Sequence, residues 1–320
     1  MVMLVTLVLA ATQPAIVLGV GSRASTLQVS EVGKPGAGLP KDTSFVMLTD
    51  VVSPRVLQRW SVPAMLFTRD ATLGEAVTIE PRPPDEDVRR LGEEEEVSRY
   101  GRVRLGKVAL HELLLEAGWA WVAPGARKDA ALMKLEAAAR AAKRGLWADP
   151  DPVEPWVWKE LVMLRDAETK VVHSGWECPH VQKTQCARCG GGRAYALADA
   201  EKEGFTPHEC FTPELLRIAR ASGGFEDGKP DGDALGAPRL PVSERRACKV
   251  DADCALTPET PCTCPGCGSV WRQAARKEVA ARMTKNFAQA NCGGVGCPAC
   301  AGRLVGTKAV CRESQCAPAQ

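Results

Sequence analysis

The distribution of cysteine divides this 320-residue chain into two parts that must be stabilised in different ways. All fourteen cysteines lie at or after Cys178: four between Cys178 and Cys210, and ten between Cys248 and Cys316. A short, cysteine-dense segment usually depends on cross-links, because it can bury only a small core. The cysteine-free first half must instead fold by burying apolar side chains of strands and helices.

Both cysteine groups are even in number, as disulfide pairing within each group requires. Disulfides form in oxidising compartments, and an exported protein with this many cysteines pairs them by default. We therefore predict disulfides throughout, at Cys178, Cys186, Cys189, Cys210, Cys248, Cys254, Cys262, Cys264, Cys267, Cys292, Cys297, Cys300, Cys311 and Cys316.

Zinc is the alternative in both cysteine groups. In the first group, the segments CPHVQKTQCARC and HEC bring His180 and His208 close in sequence to the cysteines. In the second group, CPGCG and CPAC resemble the paired turns of a zinc ribbon. That alternative set consists of Cys264, Cys267, Cys297 and Cys300.

The first eleven residues are apolar and precede small residues, which is the pattern of a signal peptide. They lack the basic residues that usually open such a peptide, so a buried first β-strand is the alternative. We expect export, either secretion or retention in the cell envelope or periplasm. No later apolar run approaches the roughly 18 residues that a membrane span needs, and we predict none.

The net charge argues against a chain built around a polyanion. Lys and Arg together number 41 and Asp and Glu 39, which gives +2 at pH 7. Nothing in this balance steers the whole molecule toward nucleic acid or an anionic membrane. Any such site must therefore be local.

Short β-like segments, at 15–20, 25–29, 44–52 and 75–81, are separated by Gly- and Pro-rich turns and predict a small barrel. Helical spacing follows within 130–147, where Gly145 stands at the expected helix end. Residues 223–247 are rich in Gly, Pro and charge and are predicted to be a linker.

Three segments carry a family resemblance: SRYGR at 98–102, HELLLEAGWAWV at 111–122 and LEAAARAAKRGLWADPDPVEPWVWK at 135–159. In this order they resemble the second half of a staphylococcal-nuclease-like (thermonuclease) domain, which would span about residues 15–160. The resemblance implies an α+β fold: a five-stranded OB-type β-barrel with three helices. A small disulfide-rich domain follows, whose CKVDADC and AVCRESQC segments resemble a cysteine-rich module of predicted exported bacterial proteins.

These patterns divide the chain into five parts. Residues 1–11 are the predicted signal peptide, 15–160 the nuclease-like domain, 161–222 a cysteine-containing connecting segment, 223–247 the linker and 248–320 the cysteine-rich module.

The resemblance also says where catalytic residues should lie. Active relatives carry V-R-L-x-x-x-D-x-P-E on one strand, D-R-Y-G-R on another and an early D-G-D-T turn for calcium. Aligned with VMLTDVVSPR, the chain has Met47 at the arginine, Val52 at the aspartate and Arg55 at the glutamate. Ser25 stands at an expected metal-binding aspartate. Only Arg102 retains its family position, and we expect it to be a salt-bridged remnant.

Phosphodiester cleavage needs a carboxylate to activate water, cations to stabilise the developing charge and oxygen ligands for calcium. The chain lacks most of these at the aligned positions. We therefore expect no enzymatic activity and no cofactor, in an exported binding or structural protein whose ligand is a protein, a glycan or a surface. The alternative is a calcium-dependent nuclease whose metal ligands lie elsewhere; nucleic acid is disfavoured as a ligand, since Glu93 opens a run of four glutamates just before SRYGR.

Overall fold

A computed structural model of the chain describes residues 12–21, 23–32, 43–55, 58, 60–93, 97–149, 152–158, 164–174, 178–184, 197–221, 245–257, 274–290 and 308–319. Its strands are β1 (Gln13–Val20), β2 (Thr26–Glu31), β3 (Thr43–Leu48), β4 (Val51–Val52), β5 (Ala76–Pro81), β6 (Arg99–Leu105), β7 (Val108–Ala109), β8 (Trp121–Val122), β9 (Leu164–Asp166), β10 (Val171–His173), β11 (Thr206–Pro207), β12 (Cys254–Leu256), β13 (Ala274–Arg276), β14 (Ala309–Arg312) and β15 (Gln315–Pro318). Its helices are α1 (Ser61–Thr72), α2 (Glu86–Glu93), α3 (Leu110–Ala117), α4 (Ala130–Ala141), α5 (Pro155–Trp158), α6 (Pro179–Thr184), α7 (Leu197–Lys202), α8 (Pro213–Ala221) and α9 (Lys277–Phe287).

Five strands close into a barrel in the order β3-β2-β1-β5-β6, with β6 returning to β3. Neighbours are antiparallel except at the closure, where β3 and β6 run parallel and Met47 is opposite Tyr100. The register of β1 against β2 shifts between Val17 and Gly19, and such a bulge increases the coiling that closure requires. The α+β fold predicted from the resemblance, a five-stranded barrel with helices, is confirmed.

The barrel core follows from strand alternation and helical spacing. Apolar side chains from β2, β3, β5 and β6 point inward and meet the buried face of α3 and α4. Helix α3 ends at Ala117 with Gly118 as its cap, whereas α4 ends at Ala141, before the predicted stop at Gly145. Gly118 and Gly145 both have positive φ and lie so close that a Cβ on either would strike the other chain segment. Leu146 N–H donates to Gly118 O at 2.9 Å at this contact, which fixes the segments that follow the two helices against each other.

Residues 164–221 contribute a second, smaller unit. Its sheet has the order β11-β10-β9, with β10 parallel to β11 and antiparallel to β9. A compact apolar cluster covers it, made of Val172, Leu197, Ala200, Phe205, Phe211, Leu215 and Ala219.

The C-terminal module consists of the hairpin-like pairs β12–β13 and β14–β15 with α9. Among its described residues, two disulfides join it, Cys248–Cys311 and Cys254–Cys316. Helix α9 packs against the outer face of β1, where Val279, Met283 and Phe287 contact Ile16 and Leu18. The barrel and the C-terminal module therefore share an apolar interface.

Polar contacts reinforce that interface. Arg282 donates to both carboxylate oxygens of Glu75, at 2.7 and 3.1 Å, and Asn286 donates to Gly74 O at 2.7 Å. Of the predicted linker 223–247, only 245–247 lie within the described residues, and there Arg245 donates to Leu73 O at 2.6 Å. The predicted signal peptide lies outside them. In the part of the chain that the structure describes, no helix is both long and apolar enough to cross a bilayer.

Candidate active-site region around Arg102

Arg102 lies on β6 opposite Glu80 of β5, with 23% of its side chain exposed. Its guanidinium forms a two-point contact with Asp50: Nε donates to Oδ2 at 2.7 Å and Nη2 to Oδ1 at 2.9 Å. Asp50 follows β3 in a bend, is buried, and accepts a further hydrogen bond from the Thr49 hydroxyl at 3.3 Å. Arg102, the only residue that keeps its family position in the alignment, is therefore bound by the Asp50 carboxylate, a partner that the sequence pattern does not predict.

The charges of this pair support each other. Burial raises the pKa of Asp50, but the hydrogen bond and charge of Arg102 outweigh it and hold that pKa below its ordinary value. The hydrogen bond to Asp50 likewise raises the pKa of Arg102 despite partial burial, with smaller contributions from Glu80 and Asp129. Both groups are thus ionised at neutral pH.

The other two carboxylates that act on Arg102 have structural partners of their own. Glu80 accepts hydrogen bonds from Arg82 at 2.9 and 3.1 Å. Asp129 caps the N-terminus of α4 by accepting from Ala131 N–H at 3.0 Å and Leu132 N–H at 3.4 Å. Each carboxylate near the arginine thus serves local structure.

Met47 and Val52, at the aligned arginine and aspartate positions, are both fully buried. They belong to an apolar group, here called the Met47 cluster, with Val88 and Leu91 of α2 and Ala123. Tyr100 and Trp156 pack against it. Where the resemblance expects charge, the fold has a hydrophobic contact between the barrel and α2.

Ser25, aligned with a metal-binding aspartate, is buried beside Ser53. The Ser25 N–H donates to Ser53 Oγ at 2.9 Å, and the two hydroxyl oxygens are 3.1 Å apart. The structure thus brings Ser25 next to the residue that follows Val52, as the alignment requires. Two neutral hydroxyls that bond each other supply no charge for a calcium ion, which favours carboxylate oxygens.

Arg55, at the aligned glutamate position, is half-buried at the end of the β3–β4 segment. Its backbone N–H donates to Gln58 Oε1 at 2.9 Å, and Gln58 N–H returns a bond to Arg55 O at 2.9 Å. A cation therefore stands where a general base would be needed.

His111, at the start of α3, is the barrel's own histidine and is 3% exposed. Burial lowers its pKa, and the opposing charges of Asp50 and Arg102 act on it in opposite directions. Its Nδ1 has no hydrogen-bond partner among the described residues. Its buried position at the start of a helix is consistent with a structural role.

The described cysteines fall into two kinds. Cys248, Cys254, Cys311 and Cys316 are disulfide-bonded, and Cys178 and Cys210 are free thiols. The remaining cysteines predicted to form disulfides lie outside the described residues: Cys186, Cys189, Cys262, Cys264, Cys267, Cys292, Cys297 and Cys300. The alternative zinc set of the second group, Cys264, Cys267, Cys297 and Cys300, is among them.

A closed five-stranded barrel braced by α3 and α4 defines an OB-type domain. The comparison with known families agrees: the model for staphylococcal nuclease homologues matches residues 40–149. The chain therefore contains a staphylococcal-nuclease-like domain, joined to a disulfide-bonded C-terminal module.

Some relatives of this chain are named as nucleases and others are not. The chain is 43% identical over 67 residues to an "Uncharacterized endonuclease" of Escherichia coli, covering 19% of this chain and 43% of that protein. It is 27% identical over 121 residues to a "Micrococcal nuclease" of Shigella flexneri, covering 37% of this chain and 70% of that protein. It is also 33% identical over 85 residues to "Protein ParB" of E. coli, covering 22% of this chain and 48% of that protein. The chain thus spans less than half of the E. coli endonuclease.

Proposed function

We propose that the nuclease-like domain does not hydrolyse phosphodiesters and acts in binding or structure. The observation that carries this proposal is the Met47 cluster, in which Met47 and Val52 are fully buried at positions where the resemblance expects an arginine and an aspartate. Hydrolysis requires a carboxylate that activates water and cations that stabilise the phosphorane charge. Two apolar side chains inside a hydrophobic contact supply neither.

The calcium ligands that the resemblance implies are also missing at the aligned positions. Ser25 is bonded to Ser53, and Arg55 brings positive charge to the same region. Asp50 is fully engaged by Arg102 through both oxygens. Because a calcium ion takes six to eight oxygen ligands, usually with several carboxylates, this group of residues is a poor calcium site.

We further propose that the protein works outside the cytoplasm. The two disulfides support this placement, because such bonds persist in oxidising compartments and are rare in the cytosol. The ligand that fits an exported, non-hydrolysing domain is a protein, a glycan or a surface. Fractionation of cells that produce the full chain tests the placement: recovery in the cytosol with reduced Cys248 and Cys311 would contradict it.

A calcium-dependent nuclease is the second candidate. It is favoured by the names of the relatives and by the retention of Arg102, which keeps 23% of its side chain exposed. In this alternative, Arg102 would leave Asp50 and contact a phosphate. The two candidates differ in a measurable way, since only the second requires cleavage that depends on both calcium and Arg102.

The experiment is a cleavage and binding assay on the full-length protein. Heat-denatured DNA and RNA are incubated with the protein in millimolar calcium or in chelator, with staphylococcal nuclease as the positive control. We expect no cleavage above buffer. Calcium-dependent cleavage that disappears in Arg102→Ala would establish the nuclease, whereas cleavage that persists in that variant would indicate a contaminant. Binding of a labelled single strand without cleavage would retain the non-hydrolytic proposal and identify nucleic acid as the ligand.

A further inference from the structure

Two histidines meet at one edge of the small sheet outside the barrel. Strand β10 ends in His173, and the parallel strand β11 is followed at once by His208. The His208 N–H donates to Val172 O at 2.8 Å, which fixes the two histidines side by side. Parallel neighbours leave a sheet at the same edge, so the topology itself brings these residues together.

Two free cysteines complete the group. Cys178 precedes α6 and is 2% exposed, and Cys210 lies two residues after His208. The Sγ of Cys178 is 3.5 Å from His173 Nδ1 and 3.7 Å from His208 Nδ1. One ligand atom from each of the four residues lies within 4.8 Å of every other.

We infer that His173, Cys178, His208 and Cys210 form a tetrahedral zinc site. Zinc takes sulfur at about 2.3 Å and nitrogen at about 2.0–2.1 Å, which places neighbouring ligand atoms of a tetrahedron about 3.3–3.8 Å apart. The measured sulfur-to-nitrogen distances fall in this range. Two thiolates with two imidazoles are also the donor set that zinc prefers.

The surroundings of the ligands suit this role. Ser174 N–H donates to Cys210 Sγ at 3.3 Å, the kind of outer contact that stabilises a metal-bound thiolate. The N–H of Cys210 donates to His208 Nδ1 at 3.2 Å, so Nδ1 is the unprotonated ring nitrogen and has the lone pair that a metal ligand needs. A metal bound at Nδ1 takes the place of this hydrogen bond. A Cys178–Cys210 disulfide, by contrast, would give both histidines no function.

Four protein ligands leave no open position, so the site is structural. It cross-links a unit whose apolar cluster, over the described residues, has seven buried members, and small units of this kind often need a metal. His180 stacks on His173 with ring centroids 5.2 Å apart but is exposed on α6, and it lies outside the ligand set. The proposed zinc site is separate from the barrel and from Arg102.

The test is zinc content per chain, measured by elemental analysis on the full-length protein. Because cysteines elsewhere in the chain can also hold zinc, the readout is the difference from the wild type. We expect Cys178→Ser/Cys210→Ser and His173→Ala/His208→Ala each to lose one equivalent. The matched controls His180→Ala and Cys186→Ser/Cys189→Ser should lose none.

Cobalt substitution gives a second readout that does not depend on how well a variant folds. Cobalt added to metal-free wild type should show the visible absorption of a tetrahedral sulfur–nitrogen site, and one equivalent of zinc should abolish it. Two results would overturn the inference: a Cys178–Cys210 disulfide in the protein as purified, or an unchanged zinc content in the double cysteine variant. Loss of one equivalent in the Cys186→Ser/Cys189→Ser control together with no loss in His173→Ala/His208→Ala would show that the ligand set is wrong.

Discussion

Asp50 accepts both of its short hydrogen bonds from Arg102, at 2.7 and 2.9 Å, across the point where the barrel closes. Asp50 lies just after β3, and Arg102 lies on β6, the strand that runs parallel to β3 at the closure. The Asp50 carbonyl also accepts from Ala123 N–H at 2.9 Å. The pair therefore connects the closure to the segment that follows α3, which gives Arg102 a structural role.

Substitution of Asp50 by alanine should destabilise the barrel, because it leaves the Arg102 guanidinium without its main partner. Breaking a buried pair costs about 3–5 kcal/mol, and partial exposure of Arg102 should reduce this to about 2–3 kcal/mol. Urea unfolding followed by tryptophan fluorescence measures it. The pKa of Asp50 is lowered on folding, so the wild-type advantage should be complete above its ordinary value of 3.8 and decline as the pH falls further. A difference below 0.5 kcal/mol at neutral pH would contradict this role.

Met47→Ala should behave as a core truncation. Met47 is fully buried in the Met47 cluster, and removing such a side chain costs about 2–5 kcal/mol. Met133→Ala is the matched control, because Met133 is 36% exposed on α4 and its truncation should change the free energy of unfolding by less than about 0.5 kcal/mol. Equal effects of the two variants on chemical denaturation would argue against a stabilising hydrophobic contact at Met47, the position aligned with the family arginine.

His111 should make the barrel sensitive to mild acid. Burial lowers its pKa below the ordinary 6.5, so the unfolded chain binds the proton first and stability is lost as the pH falls from about 6.5 through the lower folded pKa. In His111→Gln, which stays neutral, the melting temperature should change less over this pH range. Parallel pH profiles for wild type and variant, recorded by thermal denaturation, would show that another group is responsible.

Gly74→Ala should weaken the contact between the barrel and α9. Gly74 has φ +70, and an added Cβ would lie 2.7 Å from Met283 Cγ. Gly106→Ala is the control: Gly106 has φ +58, but its added Cβ would meet nothing within 4 Å, so it carries the backbone strain alone. Limited proteolysis should cut the C-terminal module faster in Gly74→Ala than in Gly106→Ala. Identical rates would mean that the Met283 contact does not hold the module.

Reduction should affect the C-terminal module more than the barrel. The disulfides Cys248–Cys311 and Cys254–Cys316 close long loops in a region with a small core, and loss of a native disulfide typically costs about 2–5 kcal/mol. The barrel has no cysteine and should keep its cooperative melt. Calorimetry with and without reductant tests this difference. A barrel transition that vanishes with reductant while the module resists proteases would reverse it.

The barrel could be predicted from the sequence because each pattern that indicates it lies within a short segment. These patterns are the SRYGR strand and the periodicity of α3 and α4, and the order of these segments is the basis of the resemblance. The apolar residues at the aligned catalytic positions could also be read from the sequence, since the segment VMLTDVVSPR fixes the spacing of Met47 and Val52 from Pro54. The structure adds why they are tolerated: α2 covers them.

The Asp50–Arg102 pair and the histidine–cysteine group could not be predicted from the sequence in this way. Asp50 and Arg102 are 52 residues apart, and only the barrel closure shows that they meet. His173 ends a strand of three residues, and His208 follows a strand of two residues. Such strands are too short for a periodic signal, and their parallel pairing is decided by tertiary packing. His180 and His208 lie close to cysteines in the sequence, which is a clue to this group, but the structure groups His173 in place of His180 with His208, Cys178 and Cys210.

The contact between β1 and α9 also affects how the molecule is completed during synthesis. Glu75 and Arg282, which seal one side of this contact, are 207 residues apart, so the ribosome releases β1 long before its covering helix exists. Until then, the outward faces of Ile16 and Leu18 have no helix over them and offer a chaperone a binding surface. A chain interrupted before residue 277 would therefore carry a closed barrel with an uncovered flank, and aggregation of such fragments would be a direct sign of synthesis that stopped too early.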